Sequence, residues 1–135
     1  MVNTQTIKKT KDFADIYQNG ISAANRLLVV YIKPLDKFDF AGNKLGVSVN
    51  KKVGKAVKRN RIKRIIKESY KLFECHLKFG YSIIVVARAE AGKIDKDYSF
   101  SLINKALYNL FARHKIVCPL YIYKGPSLNT ASPEF

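Results

Sequence analysis

At 135 residues, 47% of them hydrophobic, the chain is long enough to close one core without help from a metal or a disulfide. Its 25 basic side chains outnumber the 10 acidic ones, and the formal charge of +15 exceeds what solubility requires, which points to a polyanionic partner, nucleic acid ahead of an anionic membrane. No apolar run approaches the roughly 20 residues of a spanning helix, MVNTQTIKKTK has no signal-peptide core, and Cys75 and Cys118 form no CxxC pair, so a cytoplasmic chain with reduced thiols and no zinc or membrane site is expected.

Residues 1–9 are polar and expected to be mobile. Thr10 is placed to cap a short helix over 11–19 that Gly20 stops. Phe13, Ile16 and Tyr17 share one side of that helix, either as ordinary core or as half-open aromatics able to stack on unpaired bases. RLLVVYIK at 26–33 reads as a strand ended by Pro34, with apolar residues on both faces, including Tyr31. A turn over 36–43 follows. Residues 45–49 form a second strand with Leu45, Val47 and Val49 inward, while Gly46, Ser48 and Asn50 offer a small polar face that a ligand could approach.

The stretch 51–71, KKVGKAVKRNRIKRIIKESYK, carries ten Lys or Arg residues and one acid, Glu68. After a break at Gly54, a helix here places Ile62, Ile65, Ile66, Ser69, Leu72 and Phe73 on one face. Asn60, Arg64, Lys67 and Lys71 lie opposite, with Lys63 beside them, as a cationic stripe suited to phosphate. Lys58 and Arg59 project past the core at the helix N-terminus, where the dipole also favours an anion. A third strand lies within 79–87, and Ser99 is placed to cap a last helix carrying Phe100, Ile103, Leu107, Leu110 and Phe111. Residues 118–123 fit either a short strand or a loosely packed tail. The fold class is therefore α/β on a small mixed sheet, one domain over 1–124, with helices on one face and a groove open on the other. Residues 125–135 read as a disordered tail, compatible with a foreign remnant.

Catalysis by the chain itself would need clustered acids, an activated nucleophile or a metal set. The acid pairs Asp12 and Asp15, Asp36 and Asp39, and Asp95 and Asp97 fall in capping or turn contexts. Gly54-Lys55 lacks the remainder of a phosphate loop. No catalytic residue is assigned.

SAANR at 22–26, LGVSVNKKVGKAVKRNRIKR at 45–64 and IIVVARA at 83–89 together resemble the protein component of bacterial ribonuclease P, with the RNR signature at Arg59, Asn60 and Arg61. The resemblance covers about residues 8–115. It implies a two-layer α-β sandwich whose basic helix lies in a left-handed βαβ crossover, against the usual hand. It implies as partners a catalytic RNA and precursor tRNA, from which the RNA removes the 5′ leader with Mg2+, assisted by the protein. Carried over by position, Lys55, Arg59, Asn60, Arg61, Lys63, Arg64 and Lys67 face the catalytic RNA. Phe13, Tyr17, Tyr31, Ser48, Asn50, Lys51 and Lys52 line a cleft for the leader. Metal ligands in the chain are unknown. Lys55 and Lys58 add charge where the family varies, and 118–135 has no counterpart. Two other classes stand beside this reading, a general structural RNA binder of the ribosomal kind and an independent metal-dependent ribonuclease, whereas DNA recognition lacks a helix-turn-helix pair.

Overall fold

The computed structural model describes residues 3–35 and 42–125. The expected turn over 36–43, with Asp36 and Asp39, and the expected tail beyond Gly125 fall largely outside them. The first described residues are not loose. Thr4–Thr6 forms β1, a parallel edge strand on Asn43–Val49, which is β4. Side-chain pairing supplies what three polar residues cannot obtain by burial: Thr4 Oγ1 donates to Glu74 and lies 2.7 Å from the Tyr70 hydroxyl, and the Asn3 amide donates to the same carboxylate.

Thr10–Asn19 forms α1, Ile21–Ala24 forms β2 and Leu28–Pro34 forms β3. Thr10 is the first helical residue and not the cap; Lys9 holds the cap position without a side-chain hydrogen bond. The short β2 carries ISAA, too small and too weakly apolar to announce a strand, and exists because it pairs with β3 along its whole length. Tyr81–Ala87 is β5. The sheet order is β1-β4-β5-β3-β2, with β1, β4 and β5 parallel and β3 antiparallel to both its neighbours. Because β4 and β5 are parallel neighbours, the chain between them must cross over, and it does so through Ala56–Phe73, α2.

The closing helix, α3, is Ser99–Arg113. Here too the expected cap is the first helical residue, and Ser99 Oγ instead donates to the Asp95 carbonyl. Helices α2 and α3 cover one sheet face and bury Leu28, Val30, Ile83 and Val85 beneath Ile62, Ile66, Phe73, Leu107 and Phe111. The buried face of α2 is shifted from the expected one: Tyr70 is fully buried and Leu72 is 57% exposed. Positions 62, 66, 70 and 73 form the row that meets the sheet and α3, and Leu72 lies two positions round from Tyr70. Residues 118–123 are not a strand. A single bridge joins Leu77 to Val117, after which Tyr121 stacks on His76 with ring centroids 4.0 Å apart and Tyr123 on Tyr108 at 4.3 Å. The helices do not all share one face, because α1 lies on the opposite side of the sheet, where Ile7 and Ile16 pack on Ile84.

Candidate nucleic-acid interface

Strand register fixes what α1 covers. Tyr31, Ile84 and Gly46 stand in one line across β3, β5 and β4, and α1 lies over it. Phe13 sits so close to Gly46 that a β-carbon there would come within 2.7 Å of the ring. Tyr17 meets Tyr31 edge to face at 4.9 Å, and Phe13 and Tyr17 are 6.2 Å apart. The three predicted aromatics thus form one continuous edge. Phe13 and Tyr31 are half-buried and Tyr17 is 39% exposed, so the edge is neither pure core nor free surface.

The next line of the sheet, Ala24, Val29, Val86 and Ser48, is partly exposed on that face, leaving a trough beside the aromatic edge. At its far end β4 runs into Asn50, Lys51 and Lys52, all exposed. Asn50 has a second task, since its Oδ1 accepts the Lys52 amide at 2.7 Å and starts the 3-10 turn Lys51–Val53. Gly54, with φ +154°, then takes a backbone conformation that side chains resist, which redirects the chain into α2.

Lys55 occupies the cap position of α2 and is exposed. Lys58 is half-buried: its Nζ donates to the Gly92 carbonyl at 2.8 Å and ties the helix start to the loop after β5. Arg59 and Arg61 are half-buried, and the Nε of each is buried without a hydrogen-bond acceptor. Buried donors of this kind call for a partner. Asn60, Lys63, Arg64 and Lys67 line an open groove along α2 with Glu68 and Lys71. Among the described residues, the ion pairs Lys33 with Asp15 and Lys93 with Glu90 lie elsewhere, and no carboxylate pairs with these α2 cations.

Two groups escaped the sequence reading. Arg88 follows Ile84 and Val86 in the alternation of β5 and reaches the end of the trough, where its guanidinium donates to the Asn25 carbonyl at 2.7 Å; period two alone could have placed it. Asn25 itself gave no signal beyond its place in SAANR. Its Oδ1 accepts the amides of Leu27 and Leu28 and its Nδ2 donates to the Ala106 carbonyl, so it fixes the β2–β3 turn to α3.

Asp12 and Asp15 sit on the other side of α1 from the trough. Hydrogen bonds from Lys33 and Asn19 hold the Asp15 carboxyl below its ordinary pKa. Asp95 accepts the Asp97 amide in a turn. Among the described residues, no three His, Cys, Asp or Glu side chains are grouped to hold a metal ion, and no helix is long and apolar enough to cross a membrane. Cys75 and Cys118 are both free thiols.

A sequence profile for the family described as Ribonuclease P matches residues 1–115. The "Ribonuclease P protein component" of Clostridioides difficile is 43% identical over 114 residues, which is 84% of this chain and 94% of that protein. The protein of the same description from Clostridium botulinum is 48% identical over 108 residues, 79% of this chain and 91% of that one. Among solved structures, the RNase P protein of Staphylococcus aureus superimposes with a TM-score of 0.73 at 38% identity, covering 83% of this chain and 96% of that one. That of Thermotoga maritima gives 0.69 at 26% identity, covering 81% and 96%.

Proposed function

This chain belongs to the family of bacterial ribonuclease P protein components, subunits of the ribonucleoprotein that matures tRNA 5′ ends, and on that premise we propose how its two surfaces divide the work. The trough binds the single-stranded 5′ leader of precursor tRNA, and the cationic side of α2 binds the catalytic RNA. The observation that supports this most is their continuity: the aromatic edge of Phe13, Tyr17 and Tyr31 borders an uncovered sheet row that runs through Asn50, Lys51 and Lys52 to the start of α2. Flat rings accept bases of any sequence, and lysines beyond them accept the phosphates between those bases.

On α2, Arg59, Asn60, Arg61, Lys63, Arg64 and Lys67, with Lys55 at the cap, neutralise phosphates and lower the repulsion between two RNAs brought together. The buried Nε groups of Arg59 and Arg61 suit phosphate oxygens, because an arginine fork gains most from a charged acceptor held in a fixed direction. Hydrolysis belongs to the catalytic RNA. Mg2+ is its cofactor, held there with water and RNA phosphates, and no metal ligand is assigned in this chain. Partnership with these RNAs favours a cytoplasmic location.

The test is reconstitution. Catalytic RNA should cleave precursor tRNA at low magnesium when this protein is added and poorly without it; absence of stimulation would end the assignment. A general RNA binder would respond alike to precursor and mature tRNA, whereas Phe13→Ala should weaken binding only where a leader is present. Protein free of RNA should not cleave either substrate.

A further inference from the structure

The trough has two ends, and only the one at β4 leads to the cations of α2. Its uncovered row, Ser48, Val86, Val29 and Ala24, crosses four strands to β2 at the edge of the sheet. At about 4.8 Å per strand that is about 14 Å, the length of about four nucleotides at about 3.4 Å each. A longer RNA strand runs out past β2.

Three arginines stand there, brought together from distant parts of the chain. Arg26 lies in the β2–β3 turn, Arg88 follows β5 and Arg113 ends α3. The guanidinium of Arg88 donates to the Asn25 carbonyl at 2.7 Å, and that of Arg113 donates to the Ala24 carbonyl at 2.8 Å. Successive residues are about 3.8 Å apart, so a strand on the trough side and a helix on the opposite side bring their charges to adjacent peptides. The turn that receives them is itself fixed. Asn25 Oδ1 accepts the amides of Leu27 and Leu28, and its Nδ2 donates to the Ala106 carbonyl and to Asn109 Oδ1. The dipole at the C-terminus of α3 favours a cation such as Arg113, yet its side chain reaches across to β2.

All three side chains are exposed. Arg88 and Arg113 each commit one Nη1 to the turn and keep the rest of the fork for another acceptor, and Arg26 has no hydrogen bond or ion pair among the described residues. The nearest acid along the chain, Glu90, pairs with Lys93 at 3.0 Å. Like charges gathered without a counter-charge repel one another, and an anion that binds them relieves the repulsion. Forks held in a fixed direction by carbonyls suit the oxygens of a phosphate.

We propose that Arg26, Arg88 and Arg113 form a phosphate clamp at the β2 end of the trough, gripping the backbone of an RNA strand as it passes from the trough face towards α3. The strand is either the 5′ part of the leader, beyond the length that the trough holds, or a segment of the catalytic RNA lying against this corner. Both offer the same phosphodiester. The first source rests on the leader reading of the trough; the clamp itself does not.

The test is binding of the full chain to catalytic RNA, to mature tRNA and to precursors with leaders of about 4 and about 10 nucleotides, the first filling the trough and the second passing it. Arg26→Ala leaves every hydrogen bond of the described fold in place, and Arg113→Lys keeps the charge without the fork. Arg26→Ala should weaken binding by about tenfold, the contact being charge-assisted, and should lower the slope of log K against log salt by about one. Arg113→Lys should weaken binding and leave that slope unchanged. Losses confined to the long leader identify the leader as the strand; losses on catalytic RNA alone, independent of leader length, identify the catalytic RNA. Tyr17→Ala should weaken both leaders alike, so failure of the leader reading shows there and not at the arginines. Unchanged affinity and slope on every RNA, or an equal loss on mature tRNA, would overturn the clamp.

Discussion

Phe13 on α1 packs against the backbone of Gly46 on β4, where a β-carbon would be 2.7 Å from the ring's Cζ and 2.9 Å from Cε1. The glycine is required for space, since it lets a helix approach a strand closely enough to set an aromatic edge above the sheet. Gly46→Ala should push Phe13 out of place at an overpacking cost of about 1–3 kcal/mol. Thermal unfolding would report the cost, and precursor tRNA affinity should fall while mature tRNA affinity holds.

Tyr17 is the most open of the three rings and meets Tyr31 at 4.9 Å. Tyr17→Ala removes a stacking surface without emptying a core, so folding should be nearly unaffected. Leader binding should weaken by about 1–3 kcal/mol, the value of one base on one ring. Fluorescence titration with precursor and mature tRNA measures the difference, and equal losses on both would contradict a leader site.

Arg64 and Lys67 are exposed along the groove of α2. Replacing either with Ala should weaken binding to the catalytic RNA and flatten its dependence on salt, lowering the slope of log K against log salt by about one for each phosphate that is no longer neutralised. Lys58→Ala should behave differently. It frees the Gly92 carbonyl and should reduce stability and loosen the start of α2 before it changes the slope.

Thr4 joins β1 to the end of α2 through Tyr70 and Glu74. Thr4→Val keeps the shape and removes the hydroxyl, leaving a buried tyrosine and a buried carboxylate each short of one hydrogen bond, at about 1–3 kcal/mol. Hydrogen exchange should show the amides of β1 opening faster while those of β5 stay protected.

His114 donates a ring N–H from Nε2 to the Val30 carbonyl at 2.8 Å, and burial holds its pKa below the ordinary value of 6.5. On acidification the unfolded chain takes up this proton before the folded one does, so stability is full above about pH 6.5 and falls as the pH drops below it. A melting temperature that declines between neutral pH and the carboxylate range, and declines less in His114→Gln, would match this. Asp15 acts later: its lowered pKa makes the pairing with Lys33 stabilising above the ordinary aspartate range, and that stabilisation disappears as the pH falls below it.

The aromatic pattern on α1, the cationic stripe on α2 and the periodicity of β3, β5 and α3 were all legible in the sequence, because each is a local repeat that matches its element's own period. Even the separation of Ile62 and Ile66 from Arg64 and Lys67 follows from 3.6 residues per turn. Pairings made far away in the chain were not legible. Polar Thr4–Thr6 becomes a strand only because β4 offers an edge, ISAA only because β3 pairs with it, and Tyr70 displaces Leu72 from the core because Thr4, 66 residues away, and Phe111 meet it there. Lysines alone could not say that Lys58 is tied to Gly92 while Arg59 and Arg61 hold unpaired donors. The sequence by itself determined the periodic elements and the charges they carry; the two edge strands, and the side of the sheet on which α1 lies, were decided by packing and pairing between residues that no period connects.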